Sequence, residues 1–233
     1  MSMGDEAVIA AIKQLVLAGE YRDELFGLPG EALDDASQVF YARGASAGQR
    51  VFARGSEEHL AARGRGLVQP LPPLTPAPLT AVIEAEDLIG APLPSLLRRL
   101  YLEIGNGGFG PGHGVLGLAG GYPDDTKRTA TDIHRQRVFP ETLLAICDWG
   151  CAIYSLVEPG AEGRMWGYDP NPVEPPEQGL FPQPIDINAW FGRWLEGRLM
   201  QPWAVQDAVT GKWRGATDEE YEEAEREAAG ATD

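Results

Sequence analysis

Few residues in this chain are of the types that carry out chemistry, and the sequence places them apart. The three histidines are His59, His113 and His134. A metal site or a base for nucleophilic catalysis would have to use them. His59 is expected on the solvent face of a short helix, and His134 lies in a polar stretch. His113 alone lies in a glycine-rich loop that resembles a site, but no acidic or thiol neighbour stands at metal-ligand spacing, so no metal ion is expected.

The two cysteines and a pair of acidic residues offer no stronger site. Cys147 and Cys151 lack the Cys-x-x-Cys spacing of redox and zinc sites. In one extended strand they would lie about 13 Å apart, at about 3.3 Å per residue, which predicts buried, reduced thiols. Asp124 and Asp125 lie in a loop, but two acids do not supply the roughly six oxygen ligands that calcium takes. We therefore predict no catalytic residues and no cofactor, and a protein that is not an enzyme.

Two glycine-rich segments, residues 105–110 and 112–117, match the pattern G-x-G-x-x-G. In dinucleotide-binding proteins this pattern follows a strand and opens a helix whose N-terminus faces the pyrophosphate. Here the first segment closes a helix and presents the negative end of its dipole, and the second leads into an apolar segment. Both segments are predicted to be structural turns, so no nucleotide is expected.

The segment before these glycines predicts an amphipathic helix. Its apolar residues recur at three- and four-residue spacing, which is typical of one buried helix face. They are Leu96, Leu97, Leu100, Tyr101 and Ile104. Pro94 suits the first turn, where its missing N–H has no helical partner to lose. Residues 105–108 then end the helix, because glycine and asparagine accept the left-handed backbone conformation.

The first 70 residues predict an extension made of a helix and a hairpin. The apolar spacing over 5–18 indicates a helix with Asp5 as its cap, and the similar runs 38–43 and 49–54 indicate two paired strands. A short helix is predicted to run from Ser56 to Arg63. Five prolines between residues 70 and 78 indicate a semi-rigid connector, where we place a domain boundary. The predicted units are residues 1–70, 71–215 and an acidic tail over 216–233.

The second half of the chain predicts a helix, several strands and a closing helix. After a helix over 80–88, the apolar residues Val115, Leu116 and Leu118 suggest a strand, residues 143–147 form a short apolar segment, and 151–157 and 164–168 suggest a hairpin. Six prolines between residues 170 and 184 predict a loop. Asp186 is expected to cap a helix whose apolar face includes Trp190 and Trp194.

This order of elements resembles the SMI1/KNR4 (SUKH) superfamily. Three segments carry the resemblance: 93–108, with Leu-Pro and Asn-Gly-Gly; 147–155, with Cys-Asp-Trp-Gly; and 190–195, with Trp-Phe-Gly-Arg-Trp-Leu. Together they indicate a resemblance over roughly residues 78–200, more than half of the chain. The resemblance implies an α+β fold in which helices pack on a mainly antiparallel sheet. It also implies a binding role, since bacterial members resemble immunity proteins that neutralise toxins and eukaryotic relatives act as scaffolds or regulators.

The charge of the chain narrows the class of partner. The formal net charge is −16, and residues 216–233 hold eight acids and one arginine. Nucleic acids and anionic membranes are attracted to basic surfaces, so neither is an expected partner. The expected partner is a protein, such as a basic toxin domain. Because the first apolar run is short and interrupted by Lys13, the sequence predicts no signal peptide or membrane span, and a cytoplasmic location.

Aromatic residues give the clearest prediction of a recognition surface. Tryptophan is enriched where proteins bind partners, and several aromatic residues here border loops or the predicted hairpin. The candidate partner-binding residues are Asn106, Phe109, His113, Trp149, Trp166 and Tyr168. The first hypothesis is an immunity protein that neutralises a toxin by direct binding. The alternative is a scaffold or regulatory module that binds a host protein or a small ligand near residues 106–114.

Overall fold

The computed structural model describes residues 3–28, 49–160 and 162–230, without the side chains of residues 225 and 228–230. The helices within these ranges are α1 (Asp5–Ala18), α2 (Glu57–Gly64), α3 (Leu79–Ile89), α4 (Ser95–Glu103), α5 (Ala130–Arg135), α6 (Ile187–Leu195) and α7 (Asp218–Gly230). A 3-10 helix spans Pro176–Gly179. The predicted strand over 38–43 lies outside the described residues.

Three antiparallel sheets accompany the helices. The strands are β1 (Glu24–Gly27), β2 (Val51–Ala53), β3 (Val68–Gln69), β4 (Leu144–Gly150), β5 (Ile153–Val157), β6 (Arg164–Tyr168), β7 (Leu180–Asp186), β8 (Ala204–Gln206) and β9 (Trp213–Gly215). They form sheets of order β2-β1-β3, β4-β5-β6-β7 and β8-β9. The predicted α+β class is therefore confirmed. In the described ranges, no helix has both the length and the apolar character needed to cross a bilayer.

One hydrophobic core contains side chains from both sides of the proline-rich segment. Val8 and Ile12 of α1 belong to the same buried cluster as Leu97 of α4 and Trp190 of α6. Helix α1 contacts both α4 and α6. Apolar residues before and after position 70 are thus buried in the same core, and burial of apolar surface is the main favourable contribution to folding. The proposed division into units at residue 70 remains a prediction.

The predicted helices are present, with small differences at their ends. Ser56 caps α2 and Asp186 caps α6, each by accepting a hydrogen bond from a backbone N–H three residues later. The cap of α1 is Gly4, so the prediction for Asp5 is wrong. The Asp5 carboxylate instead accepts hydrogen bonds from Ser95 Oγ and Asn188 Nδ2, and thereby links α1 to the start of α4 and to α6.

The proline-rich segment between residues 170 and 184 is not only a loop. Residues 180–186 form β7, an edge strand that contains Pro182 and Pro184. Proline lacks the N–H that a central strand needs, but an edge strand tolerates it where the N–H would face outward. The loop prediction is therefore wrong for residues 180–184. Prolines can lie in a strand at the edge of a sheet, and their number in the sequence does not show whether a segment occupies such a position.

The predicted strand over 115–118 is reduced to a short pairing beside β4. Val115 forms one antiparallel bridge with Cys147, and Leu116 N–H donates to Ile146 C=O over 2.8 Å. His113 N–H donates to Asp148 C=O over 3.1 Å on the same edge. The segment turns away at Gly117, so it never becomes a regular strand. Its effect is to hold the glycine-rich loop against the edge of the four-stranded sheet.

Candidate functional site

Trp166 and Tyr168 lie together on one face of the four-stranded sheet. They are two residues apart on β6, so their side chains point to the same side. Across the strand pair, Trp166 lies opposite Pro182 and Tyr168 opposite Leu180 on β7. Trp166, Tyr168 and Leu180 are half-buried and Pro182 is exposed. Met165, which points to the other side, is fully buried in the core. Trp166, Tyr168 and Leu180 pack against the margin of the main hydrophobic core, so this row of apolar side chains is only partly open to solvent.

Phe139 extends this row toward β5. Its ring centroid lies 5.0 Å from that of Tyr168 and 5.6 Å from that of Tyr154, and both ring pairs are edge-on. Val138, its neighbour, is 45% exposed. We call the group Phe139, Trp166, Tyr168, Leu180 and Pro182 the aromatic face. It joins two of the residues that the sequence predicted for partner binding.

The surroundings of the aromatic face are acidic. Burial raises the pKa of Tyr168, and the nearby carboxylates of Glu177 and Asp169 raise it further because they disfavour a phenolate. Arg164 starts β6, but its guanidinium is paired with Glu158 at 3.2 Å and with Glu162 at 3.6 Å. The one positive charge on this strand is therefore offset by two carboxylates.

A buried polar network lies beside the aromatic face, around Tyr154 of β5. Asp124 is fully buried, and its Oδ2 lies 2.9 Å from Arg128 Nη2 and 3.2 Å from the hydroxyl of Tyr154. Its Oδ1 accepts the Arg128 N–H at 2.8 Å and the Thr126 hydroxyl at 2.9 Å. Burial raises the pKa of Asp124, but these hydrogen bonds and the Arg128 charge outweigh it, so the net pKa is lowered. The network closes the 124–128 loop onto β5.

Beside this network, His113 faces the buried carboxylate of Asp148. His113 Nδ1 lies 3.9 Å from Asp148 Oδ2, and Asp125 contributes a third nearby oxygen atom. The contact with Asp148 raises the pKa of His113 despite partial burial. Burial raises the pKa of Asp148, but His113 and two backbone N–H groups lower it below its usual range. The expectation that His113 has no acidic neighbour is therefore wrong, because folding brings in residues distant in sequence.

The other predicted site residues are not part of the aromatic face. Phe109 is fully buried and stacks on Phe191 in the core, so we exclude it from a binding surface. Trp149 is half-buried, and its Nε1–H donates to Ser155 Oγ over 2.9 Å. Ser155 points away from the side occupied by Tyr154 and Tyr168, because side chains alternate along β5. The partner-binding predictions for these residues thus do not converge on one surface.

Asn106 has a structural position inside the glycine-rich loop. Its Oδ1 accepts the Leu118 N–H at 2.8 Å, and its Nδ2 donates to the Ala119 C=O at 3.2 Å. The next residue, Gly107, has φ +81°, and a Cβ there would lie 2.5 Å from the Gly117 nitrogen. Asparagine and glycine are therefore needed here for the close approach of two backbone segments.

Replacing Asn106 with alanine is expected to lower the free energy of unfolding by about 2 kcal/mol, because two hydrogen bonds to partly buried backbone groups are lost. Urea unfolding followed by tryptophan fluorescence measures this. Asn106→Asp keeps the acceptor for the Leu118 N–H but sets a carboxylate oxygen against the Ala119 C=O, so it should also lose stability. A variant of unchanged stability that no longer binds the partner would contradict the structural role and favour a surface role for Asn106.

Two other expectations about reactive residues are wrong. His59 is 2% exposed rather than on the solvent face, and its Nδ1 accepts the Gly55 N–H at 3.0 Å. The imidazole faces Glu20, whose carboxylate also pairs with Arg63 at 3.1 Å. Cys147 is buried as expected, but Cys151 lies in the turn after β4 and is exposed. The strand ends one residue before Cys151, which explains the difference.

A scan of protein-family models, a search of curated proteins and a search of solved structures each returned no match to this chain. The resemblance to the SUKH superfamily therefore rests only on the three sequence segments. At the level of class, the α+β architecture with antiparallel sheets is compatible with that resemblance.

Proposed function

We propose that this chain is a non-enzymatic protein-binding domain of the SMI1/KNR4 type, and that its partner docks on the aromatic face. The observation that carries this proposal is the row of Trp166, Tyr168, Leu180 and Pro182 across the strand pair β6 and β7 of the four-stranded sheet. Half-buried aromatic residues on a rigid strand pair lose little side-chain entropy on binding and supply large contact areas. Strands β6 and β7 hold this row before any partner arrives.

Charge supports a basic partner. The chain has a formal net charge of −16, and Glu177 and Asp169 place carboxylates near Tyr168. A basic protein surface would be steered toward this side of the molecule, and association would become slower as ionic strength increases. A toxin domain that cleaves nucleic acid has a basic groove, and such a domain is the partner that the proposal favours.

The proposed biological role is immunity to that toxin in the cytoplasm. The role comes from the resemblance to SUKH immunity proteins, and the location from the sequence features and from two free cysteines, which suit a reducing compartment. An immunity protein neutralises by occupying the toxin, so it needs a preformed surface and no catalytic group. The aromatic face meets the first requirement.

Co-expression tests the proposal in cells. An immunity role requires a toxin gene next to the gene for this chain. That toxin is expressed with and without this chain, and growth is expected only when the chain is present. Titration calorimetry with the purified toxin domain should then give a one-to-one complex with a dissociation constant that rises with salt. Growth arrest in both strains, together with no heat of binding, would rule out immunity. Binding without rescue of growth would favour the scaffold role.

A further inference from the structure

Three potential metal ligands meet at the end of β4. One atom each from His113, Asp125 and Asp148 can be chosen so that all lie within 4.8 Å of one another. Two of the side chains come from the loops before and after residue 120, and the third comes from the strand itself. The group is separate from the aromatic face and is not needed for the proposed function. It combines an imidazole with two carboxylates, which is a donor set that binds transition metals in proteins.

The charge of Asp148 is the first argument for a cation here. Asp148 is 3% exposed, and among the described residues its one ion-pair partner is His113, at 3.9 Å. Asp124, which is buried nearby, differs because Arg128 neutralises it at 2.9 Å. The Asp148 carboxylate is held by the Gly150 N–H and faces His113, and no arginine or lysine in the described residues pairs with it. The position therefore favours binding of a positive ion next to Asp148.

The unused hydrogen-bonding capacity is the second argument. His113 Nδ1 is buried and has no hydrogen-bond partner, although it points toward Asp148 Oδ2. The separation of 3.9 Å is too long for a hydrogen bond. It is close to the roughly 3.4 Å expected for two ligands on one tetrahedral ion with bonds of about 2.1 Å. The nitrogen and the oxygen are thus placed as ligands rather than as a hydrogen-bonded pair.

Hydrogen bonds with the backbone orient Asp148 and the loop that carries His113, whereas Asp125 reaches the site from the surface. Asp148 Oδ1 accepts the Gly150 N–H at 2.9 Å, which orients the carboxylate so that Oδ2 faces His113. The His113 N–H donates to the Asp148 C=O at 3.1 Å and fixes the loop to the strand. Asp125 is exposed, and one of its carboxylate oxygens already lies within 4.8 Å of the ligand atoms of His113 and Asp148. Such outer hydrogen bonds are typical of metal sites, where they orient the ligands.

We infer that His113, Asp125 and Asp148 bind one divalent transition-metal ion of the zinc class. Three protein ligands leave the fourth position of a tetrahedral ion to water, on the exposed side next to Asp125. Calcium and magnesium are disfavoured because they prefer oxygen ligands in larger number. The bound ion ties the 113 and 125 loops to β4 and neutralises Asp148, so its expected effect is on stability.

Titration of the purified, chelator-treated chain with Zn²⁺ tests this inference. Calorimetry is expected to give one site with a dissociation constant in the micromolar range or tighter, and thermal unfolding should occur at a higher temperature with zinc. Co²⁺ should give visible absorption bands of a tetrahedral ion with nitrogen and oxygen ligands. His113→Gln and Asp125→Asn are each expected to weaken zinc binding at least tenfold. Asp125 is exposed, so the latter variant should fold normally.

His134→Gln and Asp87→Asn are the matched controls, since these residues have the same side chains outside the group and should leave the affinity unchanged. Absence of one-to-one binding of both Zn²⁺ and Co²⁺ to the wild-type chain would overturn the inference. Stoichiometric binding that survives both His113→Gln and Asp125→Asn would also overturn it, because the ion would then occupy another place, such as the exposed Cys151.

Discussion

Replacing Trp166 and Tyr168 together with alanine is expected to weaken binding of the proposed toxin partner at least 100-fold. Central aromatic residues of protein interfaces each contribute about 2 kcal/mol or more when truncated, and these two are adjacent on the aromatic face. Most of the loss should appear as faster dissociation, because truncation removes contacts made only in the complex. Titration calorimetry and surface-immobilised kinetics measure both quantities.

A matched variant separates loss of the surface from loss of the fold. Trp213→Ala removes a half-buried tryptophan of β9 that packs on Phe181, which points away from the aromatic face. This variant should keep wild-type affinity. A second test uses Glu177→Lys, which reverses an exposed rim charge and should slow association without affecting stability. If the double variant unfolds at the wild-type temperature and binds normally, the aromatic face is not the docking surface.

The second large effect is expected at Asp124. Asp124→Asn should lower the free energy of unfolding by about 3 kcal/mol, because removal of one member of a buried ion pair leaves Arg128 uncompensated. The variant also weakens the hydrogen bonds that close the 124–128 loop onto Tyr154. Chemical denaturation at neutral pH measures the loss.

Two controls identify the origin of that loss. Asp124→Asn combined with Arg128→Gln should cost less than the sum of the two single changes, since no unpaired charge remains. The second control is pH. The pKa of Asp124 is lower in the folded chain than in the unfolded chain, where it is about 3.9. The contribution of its ionised form to the free energy of unfolding is therefore present above about pH 3.9 and is lost as pH falls through the folded-state pKa. The difference between wild type and Asp124→Asn should therefore shrink below about pH 4. The ion-pair origin would be contradicted if the two single changes had additive effects on the free energy of unfolding and if the difference between wild type and Asp124→Asn did not change with pH.

Helices were the part of the fold that the sequence predicted best. In α4 the apolar residues Leu97 and Leu100 repeat with helical spacing, and in α6 Asp186 marks the start. Such signals are local, because spacing and capping act within a few residues along the chain. The hairpin of β5 and β6 was also predicted, since β-branched and aromatic residues flank a turn.

Features that depend on contacts distant in sequence were not predicted. Strand β7 exists because β6 provides a partner for a segment with Pro182 and Pro184, and nothing within the segment indicates that edge. The carboxylate of Asp148 reaches His113 only after residues 113–116 lie along β4. The burial of Phe109, which removed it from the predicted surface, likewise depends on Phe191 of a helix far along the chain.

Hydroxyl-radical footprinting of the chain, free and in complex with the toxin domain, tests most directly whether the partner covers the aromatic face. Tyrosine and tryptophan side chains react readily, so the oxidation of Trp166 and Tyr168 reports their exposure. We predict a severalfold drop in oxidation at both residues on complex formation, with no change at Trp213. Unchanged oxidation of Trp166 and Tyr168 in a saturated complex would contradict the proposed docking surface.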